Sequence, residues 1–365
     1  MNLNKTIYNI IIMSYISQVK KSTNSLKFRI TNKKDELLEI ALINAIRRSI
    51  IVNLEGYAFL RDTINFSVNT SIYNEDFLSQ RVSLIPLNYS KLDKLNISEI
   101  EGNFEASNDD PIEFKRFYAK DIKLYYGPLD VPIEERKSLD DIYPIPDVLL
   151  LELKPNQKVK FTIRIGKGTH KENGASFCPI SKCLYYFEPD SKELSKVMAE
   201  VPEERKRELE PLNRDKCYMK TAKGIPLIYN FELENDGVIP IVSLFERACD
   251  YLINLLDSKI NEIKNIEVSK TVAIETSPTN MKGYDFVFEN SNETLGNLMQ
   301  SYGLRDKDIH YIAYQVPHPS DKRLYVRISL DESAERKDYE KKVIGIMQQI
   351  ITILNGLKKD YMSSV

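Results

Sequence analysis

The chain has 365 residues, enough for two to three ordinary domains, and its 42% hydrophobic and 28% charged content is that of a soluble globular protein. Lys+Arg 51 against Asp+Glu 53 leaves a net charge of −2. That balance argues against direct nucleic-acid binding as the main task, because a protein that grips phosphates unaided carries a basic excess.

The apolar patch at residues 10–13 is too short to span a membrane and lacks the flanks of a signal peptide. Met13 is a candidate alternative start, since the first strand is expected only at Ser25. Residues 25–31 (SLKFRIT) alternate Leu26, Phe28 and Ile30 with polar partners, which predicts a half-buried strand. Thr31, Asn32 and Asp35 then offer capping chemistry for a helix over residues 37–52 (LLEIALINAIRRSIIV). Eleven of its sixteen residues are aliphatic or Ala, so it is apolar nearly all round. A helix on the surface of one domain needs a single apolar stripe; this one is expected between two layers. Burying six of its large aliphatics would contribute on the order of 10 kcal/mol as an upper bound.

Short strands are expected at 57–59 and 63–69, and a helix capped by Asn74 with Glu75 and Asp76 in its first turn. Residues 88–225 read as an inserted second domain: a loop-rich stretch at 88–111, strands at 117–126 and 158–165, a loop at 166–174 (GKGTHKENG), and a charged helix over 191–216 broken at Pro211. At Pro226 the first pattern resumes with a strand at 227–233 and a helix through Val242, Phe245, Cys249, Leu252 and Leu256. Residues 277–283 form a turn-rich boundary. The remainder alternates a strand at 284–288, a helix at 293–302 capped by Asn290 or Ser291, strands at 309–316 and 323–330, and a long helix over 333–362. The stripe of that last helix, Tyr339, Val343, Ile346, Met347, Ile350, Leu354, Leu357 and Tyr361, calls for a partner helix.

Four cysteines without CxxC and three histidines without HExxH supply no metal-site spacing. Scattered reduced thiols are favoured for Cys178, Cys183, Cys217 and Cys249 over a site completed by His170. The loop from Gly166 to His170 combines Gly, Lys, Thr and His, but GxxxxGK[ST] is not satisfied. A stand-alone nucleotide-using enzyme built there is the alternative reading. A weak internal repeat is also present: Leu42-Ile43-Asn44 and Leu295-Gly296-Asn297 each open an apolar helix after a strand bearing two aromatic or aliphatic residues.

The run LINAIRRSIIVNLEGYAF followed by NEDFLSQRVSLIPL resembles the first signature segment of the alpha-like subunits of multisubunit RNA polymerases. Leu42, Asn44, Ala45, Arg47, Arg48, Glu75, Asp76, Arg81, Leu84, Ile85, Pro86 and Leu87 carry the match, with departures at Gln80 and Ser83. A second loop of that family is matched by Gly168, Lys171, Glu172, Ala175 and Pro179, with Asn173 in place of His and Gly174 extra. Thr294-Leu295-Gly296-Asn297-Leu298, Tyr314 and Val316-Pro317-His318-Pro319 resemble the smaller partner, the eleventh subunit of the eukaryotic enzyme or L of the archaeal one. Together the chain resembles a fused third- and eleventh-subunit (archaeal D/L-like) protein of the large nucleocytoplasmic DNA viruses.

The resemblance implies an α+β fold with two alpha-N-terminal-domain-like dimerisation units forming an intramolecular pseudo-dimer. Residues 25–87 with 226–270 would form one unit, residues 88–225 a β-rich domain inserted in it, and residues 284–362 the other unit. The implied function is a non-catalytic assembly platform holding the two large catalytic polymerase subunits, with further small subunits and no direct contact to nucleic acid or membrane. No cofactor is expected in this chain. Mg²⁺ belongs to the largest subunit, whose DxDxD cluster is lacking here, and the zinc and iron–sulfur cysteines of some relatives are not matched. The implied setting is the virion and the host-cell cytoplasm. Asn44, Arg47, Arg48, Glu75, Asp76, Arg81, Leu84, Ile85, Pro86, Lys171 and Glu172 are the candidate partner contacts. Leu84-Ile85-Pro86 can equally be read as core, and Glu75 and Asp76 as helix-start chemistry. Leu42, Ile46, Leu295, Asn297, Leu298, Val343, Ile346, Met347, Ile350, Leu354 and Leu357 are the candidate dimerisation seam.

Overall fold

The computed structural model describes residues 14–32, 38–178, 180–222, 224–276, 282–318 and 320–365. The patch at 10–13, the positions Asp35, Leu37, Pro179 and Pro319, and residues 277–281 of the expected boundary lie outside that range.

In chain order the strands are β1 (Ile16–Lys21), β2 (Ser25–Thr31), β3 (Glu55–Phe59), β4 (Asn65–Asn69), β5 (Ile100–Asn108), β6 (Lys115–Tyr118), β7 (Lys123–Tyr126), β8 (Lys137–Leu139), β9 (Leu149–Leu153), β10 (Gln157–Thr169), β11 (Lys182–Phe187), β12 (Ile228–Glu234), β13 (Val272–Thr276), β14 (Tyr284–Glu289), β15 (Tyr311–Gln315) and β16 (Arg323–Ser329). The α-helices are α1 (Ile40–Val52), α2 (Glu75–Ser83), α3 (Tyr89–Leu92), α4 (Ser191–Ala199), α5 (Glu203–Lys216), α6 (Ile241–Lys264), α7 (Glu293–Gly303) and α8 (Arg336–Ser364).

Two four-stranded antiparallel sheets share one strand order: β1-β2-β12-β11 and β13-β14-β16-β15. In each, a hairpin comes first, a helix follows its second strand (α1 or α7), a second pair completes the sheet, and a long helix (α6 or α8) closes the unit. Register pairs put Phe28 opposite Phe231 in one sheet and Phe286 opposite Val326 in the other. All four are buried. Strands β3 to β10 make a separate six-stranded sheet, β3-β10-β5-β7-β8 with β4 also on β10, plus the pair β6-β9.

The helices meet between the two four-stranded sheets. Helix α1 packs on α6 and α7, α6 on α8, and α7 on α8. Twenty-nine residues make α8 about 43 Å long at 1.5 Å per residue, and its far end reaches β1 of the first sheet. An aromatic cluster holds that end. Tyr361 lies 5.4 Å from Phe28 and 4.7 Å from Phe245, ring centre to ring centre. Its hydroxyl donates to the Val242 carbonyl at 2.8 Å.

Several expectations are corrected. A strand precedes Ser25: β1 carries a bulge between Ser17 and Lys20, with Gln18 at positive φ, which interrupts the alternation. Edge strand β13 offers only Val272 and Ile274 on a short segment and was not expected either. Residues 88–111 are not all loop. Strand β5 alternates regularly between buried and partly exposed positions, but two of the buried ones are Gly102 and Ala106, so its hydrophobic signal is faint. A Cβ at Gly102 would lie 2.7 Å from the Ile163 side chain, so the strand needs a glycine there.

The expected strand at 117–126 is two strands separated by a 3-10 turn at Ala119–Asp121. The charged helix breaks at 200–202, not at Pro211, which sits inside α5. The cap of α7 is Asn292, whose side chain accepts from the Thr294 N–H, not Asn290 or Ser291. At α1 the N-cap residue is Glu39, and its own side chain does not cap the first turn. Instead the buried Asn32 amide ties Leu38 to the Pro226 carbonyl. Helix α1 is also less uniformly buried than its composition implies: Ile40 is exposed, and Asn44, Arg47, Arg48 and Ile51 are half-buried.

One side chain inside α1 is poorly matched to its site. Ser49 is fully buried, and its hydroxyl has no hydrogen-bond partner among the described residues. A buried unsatisfied polar group costs about 1–3 kcal/mol. Ser49→Ala is therefore expected to raise stability by about 1 kcal/mol in urea titration; a loss of similar size would contradict this placement.

On the outer face of the first sheet, Glu232 accepts from Lys27 at 3.0 Å and from Lys182 at 3.0 Å. The Lys27 hydrogen bond, helped by Lys182, holds its carboxyl below the ordinary 4.5 despite partial burial. A carboxyl depressed in the folded state stabilises above its unfolded pKa, and that contribution disappears as pH falls through the folded value. Glu232→Gln is expected to flatten the stability curve below about pH 4.5. An acid limb unchanged from the parent would show that Glu232 does not contribute to it.

Candidate subunit-docking site and helix seam

Of the candidate seam residues, Leu42, Ile46, Leu295, Leu298, Val343, Ile346, Met347, Ile350, Leu354 and Leu357 are all buried. They lie on the three helices α1, α7 and α8, and α6 packs against α1 and α8, so one continuous apolar layer serves both sheets. Asn297 differs: it is half-buried, and its side-chain oxygen accepts from the Ser301 hydroxyl at 3.4 Å. Gly296 beside it lets α7 lie against β15 and β16, because a Cβ there would come within 2.5 Å of the Tyr314 ring and 2.8 Å of Leu324.

The candidate partner contacts fall into separate groups. On α1, Asn44 accepts from Arg47 Nε at 3.0 Å, which answers the need of a polar side chain on an apolar helix with an intrahelical bond. Arg47 runs beside β11, where its carbonyl accepts from Cys183 Sγ at 3.8 Å. Arg48 makes no ion pair or hydrogen bond among the described residues and is only half-buried. The adjacent arginines point about 100° apart on the helix.

On α2, Asn74 caps the helix by accepting from the Phe77 N–H at 2.7 Å, and Glu75 and Asp76 are exposed in the first turn. Asp76 meets Arg61 at 3.2 Å. Arg81 donates to the carbonyls of Leu150 at 3.0 Å and Leu149 at 2.6 Å, fastening α2 to β9. Within Leu84-Ile85-Pro86 the two readings divide by residue. Ile85 is core, Pro86 is half-buried, and Leu84 is 47% exposed.

The segment at 166–174 is not a free loop. Residues 166–169 belong to β10 and pair with β3, Gly168 opposite Gly56. Gly168 is enclosed, with the Phe177 ring 2.8 Å from where a Cβ would stand. Residues 166–169 therefore form a strand, not the glycine-rich loop ahead of a helix on which phosphate cradling relies. Lys171 and Glu172 follow as exposed turn residues. Leu84 and Pro86 share a cleft of about 210 Å³ with Ala175, Phe177, Ile180 and Asp236, so the two stretches singled out in the sequence come together there. Lys171 instead lines a different cavity, of about 360 Å³, with the residues that open α7.

A polar cluster beside the cleft was not legible in the sequence. Tyr57 donates to Asp93 at 2.9 Å, and Arg247 on α6 donates to the Tyr89 hydroxyl at 2.8 Å while its guanidinium lies 4.3 Å from that ring's centre. Lys167 on β10 reaches Glu55 at 2.8 Å. Burial pushes the Asp93 carboxyl up, but hydrogen bonds from Tyr57 and Tyr89 and the charges of Lys167 and Arg247 prevail and hold it below its usual range. Burial first, then Asp93, pushes the Tyr57 phenol far up. The cluster ties β3, β10, α3 and α6 together from positions 55, 57, 89, 93, 167 and 247, a spacing that no local motif reveals.

All four cysteines are free, and three are buried. Burial pushes the Cys183 thiol up to about 12 and raises Cys249 as well, which disfavours the thiolate that a metal or a nucleophilic role requires. Among the described residues no group of three or more His, Cys, Asp or Glu side chains is placed to hold a metal ion. Among them, too, no helix is long and apolar enough to cross a membrane.

With helices and sheets so arranged, the chain has a mixed α+β architecture with several sheets. Residues 284–359 match the family model described as the RNA polymerase Rpb3/Rpb11 dimerisation domain. The chain is similar to the DNA-directed RNA polymerases I and III subunit RPAC1 of Homo sapiens, 25% identical over 219 residues, which cover 54% of this chain and 60% of that protein. It is similar to the DNA-directed RNA polymerases II, IV and V subunit 3 of Arabidopsis thaliana, 22% identical over 190 residues, covering 47% of this chain and 57% of that one. It is also similar to the DNA-directed RNA polymerases I and III subunit RPAC2 of Drosophila melanogaster, 32% identical over 72 residues, covering 20% and 61% respectively. The chain thus spans about 60% of the length of these curated relatives. The similarity to these RNA polymerase subunits is at low identity, and the Rpb3/Rpb11 family model covers residues 284–359 alone.

Proposed function

We propose that this chain is a non-catalytic assembly platform of a multisubunit DNA-directed RNA polymerase, in which a third-subunit-like unit and an eleventh-subunit-like unit are fused and dimerise with each other. The observation that carries the reading is the shared strand order of the two four-stranded sheets, with the apolar helix layer between them. Similarity to two differently named polymerase subunits within one chain supports the same reading. In this reading residues 25–87 with 226–270 and residues 284–362 are the two units, and residues 88–225 are inserted in the first. The platform would hold two large catalytic subunits, with Mg²⁺ chemistry left to the largest of them. The setting would be the virion and cytoplasmic factory of a large DNA virus.

The role of the seam is physical. Neither unit covers its own helices, so the platform forms only when both are folded, and half-buried cations on α1 lie where a third chain can detect that state. Affinity purification of the tagged full chain tests the reading. Stoichiometric recovery of two very large chains, with template-dependent nucleotide incorporation by the complex and none by the isolated chain, is the expected result. Recovery of the chain alone, or nucleotide turnover by it, would overturn the reading.

A further inference from the structure

Helix α6 starts where one wall of the cleft ends. Asp236 and Val238 line the cleft with Leu84 and Pro86, and they lie in the short segment between β12 and Ile241, the first residue of α6. That segment is a built turn. The buried Asn235 donates to the Ile239 carbonyl and accepts from the Gly237 N–H at 3.3 Å, and Gly237 holds a positive φ of 79°. Rigid elements and hydrogen-bonded turns carry a displacement onward instead of absorbing it.

The opening turns of α6 are clasped from two directions. From α8, the Tyr361 ring packs 4.7 Å from Phe245 and its hydroxyl donates to the Val242 carbonyl at 2.8 Å. Toward the six-stranded sheet, Arg247 donates to the Tyr89 hydroxyl at 2.8 Å and stacks 4.3 Å from that ring's centre. Tyr89 then meets the cleft walls at two points. Its N–H donates to the Val238 carbonyl at 2.8 Å, and its ring lies 5.0 Å from Tyr57. Tyr57 lines the cleft and is fixed by its hydrogen bond to Asp93 at 2.9 Å. Residues 242–247 therefore stand between the end of the last helix and the cleft, with a contact at every link.

We infer that the seating of α8 on α6 sets the shape of the cleft, with Arg247 as the positioning residue that connects them. Arg247 does not itself line the cleft; it acts through Tyr89. One consequence rests on the platform reading: the cleft at Leu84 and Pro86 is complete only once the C-terminal helix is in place. A partner that fills the cleft favours the seated helix in return, because coupling between two sites is reciprocal.

Cys178 reports on the cleft directly, since it lines the cleft and is half-buried while the other three cysteines are buried. The test measures how fast N-ethylmaleimide modifies Cys178 in the folded full chain by peptide mass spectrometry. Cys217, which neither variant touches, is the internal reference for global opening. Arg247→Met keeps an aliphatic stem but loses the hydrogen bond and the charge over the ring. It and Tyr361→Ala are each expected to speed Cys178 modification by about tenfold, with Cys217 unchanged. The double variant should fall well short of the ~100-fold product, because both changes act through one helix. If Tyr361→Ala does not fold, Tyr361→Leu takes its place. A Cys178 rate unchanged in either single variant, a parallel rise at Cys217, or fully multiplicative effects in the double variant would overturn the inference. Recovery of large polymerase chains plays no part in this measurement, so failure of the platform reading and failure of the coupling are separate outcomes.

Discussion

Tyr361→Ala is expected to destabilise the chain by about 3–5 kcal/mol, the range for removing a large buried aromatic side chain, against a total of about 5–15 kcal/mol for a typical domain. Tyr361 is the last member of the α8 stripe, yet its ring packs on Phe28 of β2 and Phe245 of α6. Those two rings are themselves 5.2 Å apart, and Phe231 lies 5.4 Å from Phe28. Removing the ring leaves a cavity beside Phe28 and Phe245 and takes away the hydroxyl's bond to the Val242 carbonyl. Tyr361→Phe keeps the cluster and loses only that hydrogen bond, at about 1 kcal/mol. Urea unfolding of both variants checks this. Nearly equal losses would show that the hydroxyl, not the aromatic packing, is what matters.

The second large effect concerns Arg47 and Arg48. Reversing both to Glu should leave the fold intact, since exposed or half-exposed charges away from core features change stability by about 0.5 kcal/mol or less. Among the described residues only the Asn44 bond to the Arg47 side chain is lost. At a docking face, opposing a charge instead of matching it costs about 2–5 kcal/mol, or roughly 30-fold and more in affinity. The double variant is expected to be soluble with a parental unfolding midpoint, yet to fail to retain the large subunits on affinity purification. Stoichiometric retention by this variant would remove the α1 arginines from the docking face.

The burial of the helix stripes was largely legible because it rests on strong helical periodicity. Leu42, Ile46 and the stripe from Val343 to Leu357 are large, regularly spaced and buried, and burial of that kind is what periodicity reports. The similarity of Leu42-Ile43-Asn44 to Leu295-Gly296-Asn297 pointed to equivalent helices, and α1 and α7 do occupy equivalent places in the two strand orders. The missed elements are those whose burial is achieved with small or polar side chains. Strand β5 buries Gly102, Ala106 and Asn108, β1 is bulged at its centre, and β10 runs on through glycines that resemble a loop.

The candidate contacts were less legible. The sequence places Leu84, Ile85 and Pro86 in one run, whereas the fold turns Ile85 inward and Leu84 into a cleft formed with residues 175–181. It marks Lys171 together with those residues, whereas the fold directs it to the start of α7. The Tyr57–Asp93–Tyr89–Arg247 cluster joins residues up to 190 positions apart, and only tertiary structure assembles it.

If one chain supplies both halves of the dimeric platform, each assembly needs a single copy. Native mass spectrometry of the purified complex measures this directly. The expected result is one copy of this 42.3 kDa chain for each pair of large subunits, with no separate eleventh-type subunit. Two copies, or one copy together with a distinct small dimerisation partner, would contradict the account.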